Sequence, residues 1–311
     1  MFRWIIWATA LAVGATASAG AVSPSPSLSL SATPQASSAR VEVLSAPEAT
    51  LEAQVAGWIA ELAKDEAFAS WRGATWRKAP LGPGQHGWVV FVNGSAGTPV
   101  GYLIVGAKPD GGYTLLEYGA GDAPLFAPAT LERAMRSEEL ADSPFTANAA
   151  VELLYYDAMH AFWKVSEGGE VRYADAATGA WLPVAESDVA QLRPANVPGE
   201  FISGKRLHIL KEPGDPYASL SWLDAPDAEV ESWPEFVAWL DRSGSGEAMY
   251  AGAAFGGTVL HPVGVAGYHW WPVAYGLDDA GSKLQGFVAL KQEGLTRYAP
   301  LEALLATGTF R

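Results

Sequence analysis

The chain has 311 residues, no cysteine, and 34 acidic against 20 basic residues, for a net charge of −14. The missing cysteines exclude disulfides and thiol catalysis, and the acidic balance offers no basic footprint to nucleic acid or to an anionic membrane surface. Thirteen tryptophans point either to large aromatic cores or to exposed stacking platforms.

The chain opens MFRWIIWATALAVGATASAG. Arg3 precedes an apolar run from Trp4 to about Ala15, and Ala17-Ser18-Ala19 offers the small residues that a signal peptidase reads. Residues 1–19 therefore read as a secretory signal peptide cleaved after Ala19, and the protein is expected to be secreted. The run is shorter than the roughly 20 apolar residues that cross a bilayer, and no later run is longer, so no membrane span is expected after cleavage. Loss of Arg3 leaves 19 basic against 34 acidic residues, a net of −15, which favours solubility outside the cell. Residues 20–44 are rich in Ala, Ser and Pro and lack the large apolar residues that offset ordering, so they read as a disordered spacer.

Order is expected from Ser45. Ser45 and Glu48 have capping-box spacing, Pro47 suits a first turn, and Leu51, Val55, Ile59 and Leu62 recur at helical spacing. The pattern predicts an amphipathic helix over 47–69, lying on a sheet. Strands follow at 88–92, 99–107 and 113–119, punctuated by Asn93-Gly94 and Asp110-Gly111-Gly112. Asn93-Gly94-Ser95 also has the form of a glycosylation sequon, but the hairpin turn accounts for it. A helix over 128–140 begins at Pro128, and strands at 151–157, 161–165 and 171–175 end in a turn at Ala176–Gly179. Residues 186–231, with repeated prolines, read as a linker with short elements. Beyond Ser232, Phe236, Val237 and Leu240 mark a short helix ended by Gly244 and Gly246. Strands near 258–265, 269–275 and 285–291 precede a last helix from Pro300 to about Ala306. The pattern is α+β: helices on antiparallel β-meanders in a body at 45–185, and a small mostly-β module at 232–311.

No phosphate-binding loop, dinucleotide fingerprint, nucleophile elbow, zinc-protease helix or calcium loop is present, and no cofactor is expected. The histidines are His86, His160, His208, His261 and His269. Only His261 and His269 are close. Their spacing of eight would put both on one face of an unbroken strand, but Pro262, Gly264 and Gly267 intervene. The ligand count falls short, and no metal site is expected. A serine triad of His269 with Asp278 or Asp279 lacks a nucleophile signature, and those aspartates read as a turn. Asp224, Asp227, Glu229 and Glu231 read as a solvated loop rather than paired glycosidase carboxylates. Arg297, four residues after Glu293, reads as a surface partner.

The stretch GYLIVGAKPDGGYTLLEYGAGDAPLF (101–126) resembles the propeptide of streptopain-type cysteine peptidases, where a strand passes through a turn to a strand with an aromatic-Gly end. AFWKVSEGGEVRYADAATGAWLP (161–183) resembles the last hairpin of a PepSY-type domain, with Asp175, Thr178 and Gly179 in the positions that close its final turn. The likeness spans about 85–185. It implies a protein that binds or modulates a secreted peptidase, or another cell-envelope component. GYHWWPVAYG (267–276) resembles the histidine strand of papain-like folds, yet no thiol accompanies it.

Three functions follow as expectations. The leading one is non-catalytic binding of a secreted partner, by edge-strand or helix docking. A second is a degenerate papain-like domain or an unrecognised hydrolase using His269. A third is carbohydrate or cell-wall binding through exposed tryptophans. The candidate binding residues are Tyr268, His269, Trp270, Trp271 and Tyr275. On a regular strand Trp270 and Trp271 point to opposite faces, so one should be core and the other outward.

Overall fold

The computed structural model describes residues 50–109, 111–138, 149–194, 201–218, 220–273, 284–292 and 294–311. The expected leader, spacer and Ser45–Glu48 cap, and Tyr275, Asp278, Asp279 and Glu293, lie outside them.

The elements in chain order are α1 (Leu51–Leu62), a 3-10 helix (Glu66–Trp71), β1 (Thr75–Pro80), β2 (Gly87–Asn93), β3 (Pro99–Ala107), β4 (Tyr113–Ala120), α2 (Pro128–Glu138), β5 (Ala150–Asp157), β6 (His160–Glu167) and β7 (Glu170–Asp175). Then come α3 (Glu186–Val189), β8 (Phe201–Ile202), β9 (Leu207–Leu210), α4 (Trp233–Arg242), β10 (Met249–Ala254), β11 (Val259–Pro272), β12 (Leu284–Gln292), β13 (Leu295–Ala299), α5 (Leu301–Leu305) and β14 (Gly308–Phe310). The architecture is α+β with antiparallel sheets. Among the described residues, 11 strands form one sheet in the order β1-β2-β3-β4-β13-β12-β11-β10-β14, with β8 on β12 and β9 on β11. β5-β6-β7 form a second, three-stranded sheet.

The described residues from 50 to 311 form one compact unit. The segments read from sequence as body, linker and tail share its sheet: β13 pairs with β4, and β8 and β9 from the expected linker pair with β12 and β11. β2, β3 and β4 are apolar almost throughout because both faces of the large sheet are covered. On one face, Val90, Leu103, Leu115, Tyr118 and Trp271 meet Val55, Trp58 and Leu62 of α1 and Phe68 and Trp71 of the 3-10 helix. On the other, β5–β7 and α2 cover one half of the sheet, and α4 and α5 cover the other.

The helix expected over 47–69 divides. Asp65 has extended backbone, and its Oδ1 accepts the Ala67 N–H at 3.0 Å, so it starts the 3-10 helix as an N-cap. The two strands expected at 258–265 and 269–275 are one strand, β11, with a bulge between Val265 and Gly267. Gly267 has φ +143, and a Cβ there would lie 1.9 Å from the Ile209 carbonyl oxygen. Only glycine lets β9 approach β11 so closely. The turn after β7 closes through Asp175. Its Oδ1 accepts from Ala177 N–H, Thr178 N–H and the Thr178 hydroxyl at 3.0, 2.7 and 2.8 Å, and Gly179 takes φ +73.

Arg297 is not a surface residue. β13 lies inside the sheet between β4 and β12, and the Arg297 side chain faces the small sheet. Its Nε and Nη2 donate to the two oxygens of Glu117 at 2.8 and 3.1 Å, and Nη2 also donates to the Ala158 carbonyl at 2.6 Å. Tyr102 and Tyr155 donate their hydroxyls to the same carboxylate. Burial opposes the charge, but the adjacent Glu117 carboxylate holds the Arg297 pKa well above its ordinary value. The cluster ties β3, β4 and β13 to β5.

Candidate functional site

The site is built on a cross-strand pair. In the β9–β11 register His269 stands directly opposite His208, and directly opposed side chains on adjacent strands share a face. The two rings stack with centroids 4.3 Å apart and planes at 19°. The 3-10 helix lies over them. Phe68 is fully buried, stacks on His269 at 5.8 Å and on His208 at 5.9 Å, and meets the Trp71 edge. Asp65, capping that helix with Oδ1, turns Oδ2 toward the pair, 3.1 Å from His208 Nδ1 and 3.8 Å from His269 Nε2.

The far nitrogens meet tyrosines. His269 Nδ1 and the Tyr118 hydroxyl are 2.8 Å apart, and His208 Nε2 and the Tyr298 hydroxyl are 3.0 Å apart. Tyr118 and Tyr298 stack in parallel at 4.6 Å. Burial raises both phenols, so neither ionises near neutral pH. Burial, then His208 and Arg206, pushes the His269 pKa well below its ordinary value and keeps the ring neutral. Arg206 is itself paired with Glu61. His269 is 0% exposed and its Nε2 has no hydrogen-bond partner, whereas the Asp65 side chain keeps 15% of its surface. Asp65 therefore forms the solvent side of the cluster.

The sequence left the ligand count short, and the fold changes that count. Asp65, His208 and His269 each turn one potential ligand atom into a space where all three lie within 4.8 Å of one another. His261 is not part of it. The bulge in β11 inserts one residue, so Val263 and Val265 face the α4 side while His269 and Trp271 face α1. The even spacing that would unite His261 and His269 on a regular strand instead separates them. Asp65 and His208 carry no local motif. Each is found only through the pairing of β9 with β11 and the helix lid above them.

Trp270 and Trp271 do point to opposite faces. Trp271 is fully buried beside His269, Tyr118 and Phe287. Trp270 is half-buried and packs on Trp233 at 5.8 Å and Tyr268 at 5.0 Å, and Tyr268 is itself buried. Among the described residues no tryptophan is exposed. A groove lined by Ala228, Val230, Leu305 and Phe310 lies beside β14 and contains no histidine. Among the described residues no helix is long and apolar enough to cross a membrane. The chain matches no protein-family model, no curated protein and no solved structure.

Proposed function

We propose that this chain is an exported, non-catalytic binding protein that engages a secreted peptidase or another cell-envelope partner by strand addition at the free edge of its large sheet. The observation that carries the reading is β1. Among the described residues it ends the sheet, pairing only with β2, and Thr75, Arg77, Lys78 and Pro80 on it are exposed. Such an edge offers unpaired main-chain donors and acceptors to an incoming strand. Lys78 and Pro80 on it are the residue types that discourage self-pairing. Lys78 pairs with Glu52, which leaves Arg77 as the basic group on this edge of an otherwise acidic chain and favours an acidic partner strand.

Two further observations support the reading. The resemblance of 101–126 and 161–183 to streptopain-type propeptides and PepSY domains points to a peptidase as the partner. Catalysis by His269 lacks what it needs. The ring is enclosed, its hydroxyl neighbour is a phenol that stays protonated, and among the described residues no serine or threonine hydroxyl bonds to it.

The test uses the full chain and a purified streptopain-type cysteine peptidase. A one-to-one complex on size exclusion, with inhibition relieved at least tenfold by Arg77→Glu with Lys78→Glu, supports the reading. Both side chains are exposed, so the Arg77 stack on Phe91 and the Lys78 pair with Glu52 contribute little and the fold should survive that change. Absence of a complex, or a complex indifferent to the double variant, refutes docking at β1.

A further inference from the structure

We propose that Asp65, His208 and His269 bind one late first-row divalent cation of the zinc type, in a site closed by the 3-10 helix. The inference does not rest on the peptidase reading. Three observations carry it.

The first is the donor set. Two imidazole nitrogens and one carboxylate oxygen lie within 4.8 Å of one another. Zinc, cobalt and nickel favour such mixed nitrogen and oxygen ligands, whereas calcium and magnesium favour oxygen alone. Asp65 Oδ1 is committed to the Ala67 N–H, which leaves Oδ2 for the ion.

The second is the orphan. His269 Nε2 is completely enclosed, has no partner, and lies 3.8 Å from Oδ2, too far for a hydrogen bond. A buried polar atom left this way costs about 1–3 kcal/mol. A cation between Nε2 and Oδ2 removes that cost.

The third is the outer layer. A metal-bound histidine donates its other N–H to a fixed acceptor. Here His269 Nδ1 and His208 Nε2 each face a tyrosine hydroxyl, at 2.8 and 3.0 Å. In the bound state both outer nitrogens donate, and the ion takes the place of the 3.1 Å contact between His208 Nδ1 and Asp65 Oδ2. Glu61 neutralises Arg206, so Asp65 gives the site a net negative charge.

One geometric consequence follows. Stacked rings hold their lone pairs side by side rather than convergent. The ion must draw the rings out of their stack, and His208 is the one with room, at 7% side-chain exposure against 0% for His269. Three protein ligands leave a further position for water on the Asp65 side.

The experiment titrates the chelator-treated full chain with Co(II), read by its visible absorption, and then with Zn(II) as competitor. One Co(II) per chain is expected, with the intense bands of a low-coordinate site, displaced by one Zn(II). Asp65→Asn keeps a capping oxygen for Ala67 and should weaken binding at least tenfold. His208→Ala should abolish it, and His261→Leu should leave it unchanged. The proposal is overturned by no saturable binding at one ion per chain, or by Asp65→Asn binding as tightly as the parent chain. If His208→Ala does not fold, Asp65→Asn decides alone.

Discussion

Removing Glu117 should destabilise the protein more than almost any other single change, and removing its partner as well should restore much of the loss. Glu117 is 0% exposed, and its two oxygens accept from Tyr102, Tyr155 and twice from Arg297. Glu117→Leu leaves the Arg297 guanidinium buried with the Ala158 carbonyl as its nearest acceptor, and leaves two buried phenols without one. Breaking a buried pair this way costs about 3–5 kcal/mol. Each orphaned hydroxyl adds about 1–3 kcal/mol, less than additively because the groups share one network. Against a total of about 5–15 kcal/mol for a domain, the single variant is expected to lose at least about 4 kcal/mol or fail to fold. In Glu117→Leu with Arg297→Met no charge is left buried alone, and the double variant should recover at least about 2 kcal/mol over the worse single one. Urea unfolding of all four species gives the coupling directly, provided m stays constant. A loss under about 1 kcal/mol in Glu117→Leu, or a double variant no more stable than either single one, would refute the account of this cluster as the tie between the sheets.

Three further outcomes can be checked by the same unfolding measurements. Burial lowers the His261 pKa from its ordinary 6.5, so below about pH 6.5 the unfolded chain takes up a proton that the native state refuses. Stability should fall with acid by up to about 1.4 kcal/mol per pH unit from this group until the native ring also titrates, and His261→Leu should flatten that slope by up to one proton; an unchanged slope would contradict it. Gly179→Ala places a Cβ 2.3 Å from the Thr130 carbonyl oxygen at φ +73, and should cost well over the roughly 1 kcal/mol expected of Gly168→Ala, which has φ +61 but open space; equal costs would show that the close contact does not matter. Trp271→Ala should cost about 3–5 kcal/mol and clearly more than Trp270→Ala, because the first ring is fully enclosed and the second half-buried; the reverse order would mean that the two faces of β11 are assigned the wrong way round.

The strands of β2, β3 and β4 are legible because long apolar runs between Asn-Gly and Asp-Gly-Gly turns have few other readings. The observed β3, Pro99–Ala107, coincides with the expected strand. The short strands β8, β9 and β14 are not legible. Two to four residues carry too little periodicity, and their pairing with β12, β11 and β10 is settled by partners 56 or more residues away in the chain. β1 was hidden differently: TWRKAP is exposed on its outer edge, so nothing in its composition alternates toward a core.

The histidine cluster shows why a sequence reading can single out His269 and still miss its partners. Counting along the chain favours His261, eight residues away, over His208, sixty-one away. A strand with perfect alternation would justify that preference. A single inserted residue at Ala266–Gly267 reverses the parity of β11, and the glycine that permits the bulge also lets β9 close in beside it. That one backbone irregularity sends His261 to the α4 side and gives His269 a cross-strand neighbour in His208. Asp65 arrives by another local event, the break that starts a new helix, where capping commits one carboxylate oxygen and turns the other toward His208 and His269. The bulge, the cap and the short strand are each ordinary. Their coincidence at one point of the sheet makes the site, and no spacing within the sequence encodes a coincidence.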